Sequence, residues 1–589
     1  MKGDYVDWVK KYNEWMHQPD LDARLKKELL LIEKESEKED RFYDYLAFGT
    51  GGIRGQLGVG TNRMNIYTIK RTAKGLAQFI ADQGVEAMKA GVVIGYDNRY
   101  QSREFAEWTA RVLASAGVHV SLMARMCPTP ELAFLVRELH TFAGVMITAS
   151  HNPGDYNGFK VYGNDGGQIT LEMAGELSKL LSAIDDELTI KADSLISYIL
   201  AGDVDLLDEQ ADALYLKCLA EVSQNKELAK QAGSQLSILY TPLHGTGEAL
   251  ITKGLAHAGF THLTVLASQA DGDPGFSTTT FPNPEVRTAF DLSVETAVSD
   301  GAELILGTDP DSDRLGVVLM ENKVPVYLNG NQVGVLLLSY LIEEAVRQRK
   351  DLSDYFIAKT IVTSDLGKKL AEKYQLEVRE TLTGFKYIGE QIKVAEKEGS
   401  KIFLFGYEES NGYLIKPFVR DKDAIQAALL MAELSLACKQ NDLTLTQKLE
   451  QIYEEFGFFL EELDTIEFPG KIGLQKMSDL ISLIRQTPIM EIGHKKVLIK
   501  EDYLTGDKLF MATGRTERLE LPKSDVIKFV FQDDSWICIR PSGTEPKCKI
   551  YYSTCAGSYE ESSTDMLAMK QSFQSLINDL NREPVYQTL

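Results

Sequence analysis

The chain has 589 residues, with 63 Lys+Arg against 86 Asp+Glu and a formal net charge of −23; at about 150 residues per domain this length holds roughly four domains. The carboxylate surplus repels a nucleic-acid backbone or an anionic bilayer, so neither is an expected partner. Hydrophobic residues at 44% and charged residues at 25% are ordinary for a protein with real cores.

In chain order, the start, Met1 to Trp8, has no apolar signal core. Residues 5 to 47 carry Lys, Glu, Leu and aromatics at helical spacing, which predicts one or two leading helices forming a solvated extension. Then comes a repeated strand–helix–strand rhythm. It runs Ala90–Tyr96, a helix from Arg103 to Ser115, and Val118–Met123. It returns at Leu236–Tyr240, a helix from Gly247 to His257, and Thr264–Leu266. A third copy is Tyr355–Lys359, a helix from Asp365 to Tyr374, and Leu376–Val378. This spacing predicts parallel sheets with helical cover. The apolar run Val333–Ile342 is half the ~20 residues that a bilayer span requires.

After the first unit, and again after the second and third, two short strands enclose a polar loop: Val145–Thr148 with Phe159–Tyr162, Glu303–Leu306 with Leu315–Leu319, and Ile402–Phe405 with Tyr413–Ile415. A fourth region, with strands at Phe529–Phe531, Trp536–Ile539 and Lys549–Tyr552, reads as α+β. The expected division is 1–207, 208–325, 326–455 and 456–589. Six cysteines, at 127, 218, 438, 538, 548 and 555, include no Cys-x-x-Cys pair. Reduced thiols in a cytoplasm fit them better than disulfides or a zinc site.

The loops carry the chemistry. Ser150-His151-Asn152-Pro153 sets a serine beside a histidine, but lacks the glycines of a hydrolase elbow, and sequence neighbours rarely form a nucleophile–base pair. With Arg54 and Lys160 it forms a set suited to an anion on or near Ser150. Asp309, Asp311 and Asp313 alternate in a loop whose sixth position is Arg314 and twelfth Met320, so it is not an EF-hand. Three carboxylates that leave a coordination position for a phosphate oxygen suit Mg²⁺. Gly49–Gly55 is glycine-rich but fits neither the dinucleotide nor the Walker pattern; its Arg54 is a fork for phosphate. Arg540, Ser542, Gly543 and Thr544 make a compact anion nest.

Four motifs in this order, Ser150-His-Asn-Pro, Asp309-x-Asp-x-Asp-Arg, Gly406-Tyr-Glu-Glu-Ser and Arg540-Pro-Ser-Gly-Thr-Glu-Pro, resemble those of the α-D-phosphohexomutases from about residue 40 onward. Thr383-Gly-Phe-Lys, Pro282-Asn-Pro-Glu and Arg420-Asp-Lys-Asp are similar to further elements of that family. The form is most like the bacterial α-phosphoglucomutases near the phosphopentomutase-like branch. The resemblance implies three similar α/β domains with mixed sheets and a C-terminal α+β domain around a central cleft. It implies a phosphoryl group on Ser150 and Mg²⁺ on Asp309, Asp311, Asp313 and a Ser150 phosphate oxygen. Glu408 and Ser410 would bind sugar hydroxyls, Arg540, Ser542, Gly543 and Thr544 the distal phosphate, and Arg54, Arg314, Thr383 and Lys422 the sugar phosphate. The implied activity interconverts glucose 1- and 6-phosphate through glucose 1,6-bisphosphate. A phosphopentomutase, a sugar-bisphosphate synthase and an inactive sugar-phosphate sensor are the alternatives. His151, Lys160 and Lys422 are candidates for proton transfer, and Asn411-Gly412-Tyr413 stands where shorter relatives place a histidine. The oligomeric state is not legible.

Overall fold

The computed structural model describes residues 7–49, 51–184, 187–468, 473–542 and 547–581. These divide into two compact units, residues 1–349 with 388–442, and residues 350–387 with 443–589.

The first unit opens with three helices, α1 (Trp8–His17), α2 (Ala23–Leu30) and α3 (Glu35–Phe42), where the sequence predicts one or two. They are not a solvated extension. Trp15 and Phe42 are fully buried, and the indole of Trp15 donates to the buried carboxylate of Glu187 at 2.8 Å. Charged neighbours disguised an apolar set, Trp15, Leu21, Leu25, Leu29, Ile32 and Phe42, that packs into the core of the first domain.

Two mixed sheets follow. Strands β1 (Ile53–Gln56), β2 (Val92–Tyr96), β3 (Val120–Met123), β4 (Ala143–Ile147), β5 (Tyr156–Gly163) and β6 (Val204–Leu207) lie in the order β1-β5-β4-β2-β3-β6. Strands β7 (Ile238–Thr241), β8 (Leu263–Val265), β9 (Leu304–Thr308), β10 (Leu315–Glu321) and β11 (Val324–Leu328) lie in the order β11-β10-β9-β7-β8. In each, the central helix-linked strands pair in parallel, β2 with β3 and β4 and β7 with β8 and β9, and one hairpin turns back antiparallel, β4 with β5 and β9 with β10. The helix-covered strands are buried along their whole length and almost wholly apolar, as cover on both faces requires. Each reversal leaves a tight polar loop at the same end of its sheet. The hairpin Ile402–Glu408 with Gly412–Leu414 leaves a third. The apolar run at 333–342 is the middle of a buried helix, Gly330–Arg347. Among the described residues no helix is long and apolar enough to cross a membrane.

In the second unit, Tyr355–Thr360 and Glu377–Thr381 pair in parallel around the helix Leu366–Lys373. An antiparallel sheet from Phe458–Glu467 to Arg515–Arg518 is covered by helices Gly473–Gln486 and Tyr559–Asn581. Their apolar faces, including Leu480, Ile484, Met569 and Phe573, meet Phe529, Ile537 and Ile550 of the sheet.

One buried carboxylate anchors the helix that follows the Arg420–Asp423 segment. Glu433, on helix Ala424–Gln440, accepts from the backbone N–H groups of Gln224 and Asn225 at 2.8 Å each, from the Tyr340 hydroxyl at 2.9 Å, and from Ser223. Asp423 caps the same helix at its start, accepting from Ile425 and Gln426. Glu433→Ala leaves four donors without their acceptor and should cost about 3 kcal/mol. An unchanged urea midpoint would contradict that anchoring role.

Candidate functional site

Ser150 sits in the β4–β5 loop with φ of +53°, a left-handed conformation uncommon for a side-chain-bearing residue. What holds it there is Arg99. From the polar Asp97-Asn98-Arg99 stretch just past β2, its guanidinium donates to the carbonyl of Pro153 at 2.7 Å and of Tyr156 at 3.1 Å, and also to those of Ser150 and Asn152. Asp97 pairs with the Arg99 Nε at 3.2 Å, both side chains being fully buried. The turn brings two sequence neighbours together against expectation. The Ser150 hydroxyl lies 3.2 Å from His151 Nδ1.

The same hydroxyl donates to Asp309 Oδ2 at 2.8 Å. Asp309, Asp311 and Asp313 lie in the β9–β10 loop at 0%, 0% and 2% exposure, and one carboxylate oxygen from each falls within 4.8 Å of the others. Buried like charges this close need neutralising. Burial, then Asp311 and Asp313, push Asp309 well above the usual carboxylate range. Burial works the same way on Asp311, but Lys160 at 2.7 Å and the Thr129 hydroxyl at 2.9 Å outweigh it and hold that carboxyl well below the usual range. Lys422 reaches Asp313 at 3.0 Å and Asp421 at 3.1 Å. Burial alone would depress the Lys422 ammonium; Asp313 and Asp421 raise it instead, fixing it as a cation. Burial first, then Arg314 and Arg54, drive the His151 imidazole well below its ordinary range, so it is neutral.

Oδ1 of Asp311 and Oδ1 of Asp313 are buried without a hydrogen-bond partner. Orphaned carboxylate oxygens facing a third carboxylate are the donor set of a hard divalent cation, so these residues fit one.

The other loops join as follows. Gly49 and Gly52 exchange two backbone hydrogen bonds ahead of β1, and a Cβ on Gly52 would lie 1.9 Å from the Phe159 carbonyl oxygen. Only glycine lets β1 pair with β5 here and present Arg54, whose guanidinium donates to Asn152 Oδ1 at 2.7 Å. Arg314 pairs with Glu285, the acid of the Pro282-Asn-Pro-Glu motif. The Glu408–Gly412 turn is clipped to the carboxylate loop: Leu315 N donates to the Asn411 carbonyl and Asn411 Nδ2 to the Leu315 carbonyl, both at 3.0 Å. Asn411, with φ of +61°, is therefore a backbone tie. Glu408 is buried and Ser410 half-buried beside it. Arg420 donates to Glu396 and to the Pro417 carbonyl.

Arg54, Ser150, His151, Lys160, the three aspartates, Arg314, Glu408, Ser410 and Lys422 thus all belong to the first unit, where their loops converge. Thr383, Arg540 and Ser542 belong to the second. The Thr383 hydroxyl is buried without a hydrogen-bond partner, and Ser542 N donates to the Lys547 carbonyl at 2.8 Å. Gly543 and Thr544 lie outside the described residues. Sequence reasoning passed over Arg99, Thr129 and Thr246. Thr246 supports the carboxylate loop from below, its N–H donating to the Pro310 carbonyl at 2.8 Å. The available signal was position: polar residues just past the ends of parallel strands.

The chain matches the α/β/α domain I of the phosphoglucomutase/phosphomannomutase family over residues 46–187, domain II over 213–322, domain III over 329–456 and the C-terminal domain over 496–563. It belongs to that family, whose members are phosphotransferring isomerases. Among curated proteins it is 36% identical to a phosphoglucomutase of Staphylococcus saprophyticus, covering 93% of this chain and 95% of that one. Phosphoglucomutases of Staphylococcus aureus are 38% identical over 91% of this chain and 95% of theirs. Among solved structures, parafusin (phosphoglucomutase) from Paramecium has a TM-score of 0.68 at 18% identity, covering 91% of this chain and 94% of that one. A phosphomannomutase structure from Thermus thermophilus reaches 0.66 at 22% identity, with 90% and 99% covered. These two share the fold.

Arg99→Lys keeps the charge but loses the planar fork that grips four carbonyls. Turnover should fall by about tenfold or more, since sub-ångström placement of the reacting group governs rate. Full turnover in that variant would show that Ser150 holds its geometry without Arg99.

Proposed function

We propose that this chain is a phosphoglucomutase that interconverts α-D-glucose 1-phosphate and glucose 6-phosphate through glucose 1,6-bisphosphate, with Ser150 as the phosphoryl carrier. The observation that carries the reading is the Ser150 hydroxyl, 2.8 Å from one of three buried aspartates. In the forward half-reaction a sugar hydroxyl attacks phosphorus on phosphorylated Ser150, and the P–Oγ bond breaks. The hydroxyl proton must end on Ser150 Oγ, and neutral His151, 3.2 Å away, is the group best suited to pass it. Lys160 pairs with Asp311, and Lys422, held as a cation by Asp313 and Asp421, stays in place through the step. The bisphosphate then turns end for end, and the second phosphoryl returns to Ser150 by the reverse step.

Asp309, Asp311 and Asp313, with a phosphate oxygen on Ser150, would hold Mg²⁺, which when bound supplies two positive charges against the phosphoryl oxygens. In the first unit Arg54 and Arg314 would bind the sugar phosphate and Glu408 and Ser410 the ring hydroxyls; in the second unit Thr383 would contact a sugar phosphate, and Arg540, Ser542, Gly543 and Thr544 a distal phosphate. We read the domains as 1–207, 208–325, 326–455 and 456–589. The location we propose is cytoplasmic, in keeping with six cysteines held as thiols rather than as disulfides.

Ser150→Ala should lower conversion of glucose 1-phosphate, with glucose 1,6-bisphosphate added, by about a thousandfold or more. Activity near the parent level would refute the phosphoserine route. Excess chelator should abolish turnover, and Mg²⁺ should restore it in the parent but not in Asp311→Ala; chelator-resistant turnover would refute the metal.

Glucose 1-phosphate should be a better substrate than mannose 1-phosphate or ribose 1-phosphate. A carboxylate such as Glu408 accepting from two ring hydroxyls penalises a sugar with one misplaced by about 1–3 kcal/mol, roughly ten- to a hundredfold. The comparison of kcat/KM for the three decides it. Ribose 1-phosphate as the best substrate would make the chain a phosphopentomutase with the same chemistry.

A further inference from the structure

The leading helices grip one short segment of backbone. Just past β1 the chain runs Gly58-Val59-Gly60, and both polar groups of Val59 are taken by an ion pair from α2 and α3. The Val59 N–H donates to Glu28 Oε2 at 3.1 Å, and Arg41 Nη1 donates to the Val59 carbonyl at 3.3 Å. The pair itself closes at 2.5 Å between Arg41 Nη1 and Glu28 Oε1. A side chain on either flanking residue would obstruct it. A Cβ on Gly60 would lie 2.4 Å from the Arg41 carbonyl oxygen, and one on Gly58 2.9 Å from Glu28 Oε1. Further ties follow the same path: Asn62 N to the Arg41 carbonyl at 3.0 Å, the Thr61 hydroxyl to the Asp44 carbonyl at 2.6 Å, and Leu46 N to the Thr61 carbonyl at 3.2 Å.

The gripped segment follows directly on β1, the edge strand of its sheet, which carries Arg54 opposite Gly158. An edge strand of four residues has one neighbour only, so its far end is set by whatever holds the chain beyond it. We propose that Glu28 and Arg41 are positioning residues that act through β1 to fix Arg54 for the phosphate of the sugar substrate. The leading helices are then a working part of the phosphate site. The proposal rests on the reading of Arg54 as a phosphate ligand, and the test separates the two.

The experiment is a double-mutant cycle on kcat/KM for glucose 1-phosphate, with Glu28→Ala, Arg54→Ala and the pair, and with Glu28→Gln as a milder variant that keeps an acceptor for Val59. Arg54→Ala alone should lower kcat/KM strongly. Glu28→Ala in the parent should lower it by about tenfold, Glu28→Gln by less. In the Arg54→Ala background Glu28→Ala should change nothing further, because there is no guanidinium left to place. A loss from Glu28→Ala that multiplies with the Arg54→Ala loss would mean general destabilisation and overturn the clasp. Parent-like kcat/KM in Glu28→Ala overturns it as well. Parent-like kcat/KM in Arg54→Ala would overturn the phosphate reading, and the clasp with it.

Discussion

Three carboxylates buried within one loop are the constraint on which the first unit is built. Isolated buried charge is among the most expensive things a fold can contain, and like charges side by side compound it. The molecule meets that cost with cations and donors from distinct segments: Lys160 from β5, Lys422 from the turn before helix Ala424–Gln440, and Thr129 from the start of helix Thr129–Glu138. Breaking one side of a buried ion pair typically costs about 3–5 kcal/mol, so these segments hold one another in place. The electrostatics of the aspartate loop thus fixes the register of the serine loop, through Lys160 on β5 and the Ser150–Asp309 contact.

The architecture was legible because strand–helix–strand periodicity and burial coincide: stretches such as Val92–Tyr96 and Leu304–Thr308 are apolar since both faces are covered. The loops were legible because chemistry is local there, three aspartates at alternate positions and a serine beside a histidine. Long-range dependencies were hidden. Arg99 lies 51 residues from the carbonyl it holds at Ser150, and Thr129 lies 182 residues from Asp311. Neither pairing leaves a periodic trace. The leading helices misled for a different reason: their apolar residues are interleaved with many charged ones, and one of them is a tryptophan that fills the core and bonds to a carboxylate 172 residues away.

The charge around Ser150 clarifies how a chain at −23 handles anionic sugars. A simple expectation is that basic residues concentrate at such a site to attract phosphate. The basic residues are there, but most are already committed: Lys160 to Asp311, Lys422 to Asp313 and Asp421, Arg314 to Glu285. Those carboxylates match or exceed the cations that serve them, so side chains alone give the cluster little attraction for a dianion. Two additional positive charges on a bound divalent ion would turn that balance, and they would do so at the orphaned oxygens of Asp311 and Asp313. Arg54 stands apart from the aspartates' hydrogen-bond network. Its guanidinium donates to a neutral amide, Asn152, while the charges of the three aspartates act on it from further off. On the proposed reading of Arg54 as a phosphate ligand, a phosphate meets here a guanidinium bonded to an amide rather than to a carboxylate, and the precision of its placement matters more than the number of lysines nearby.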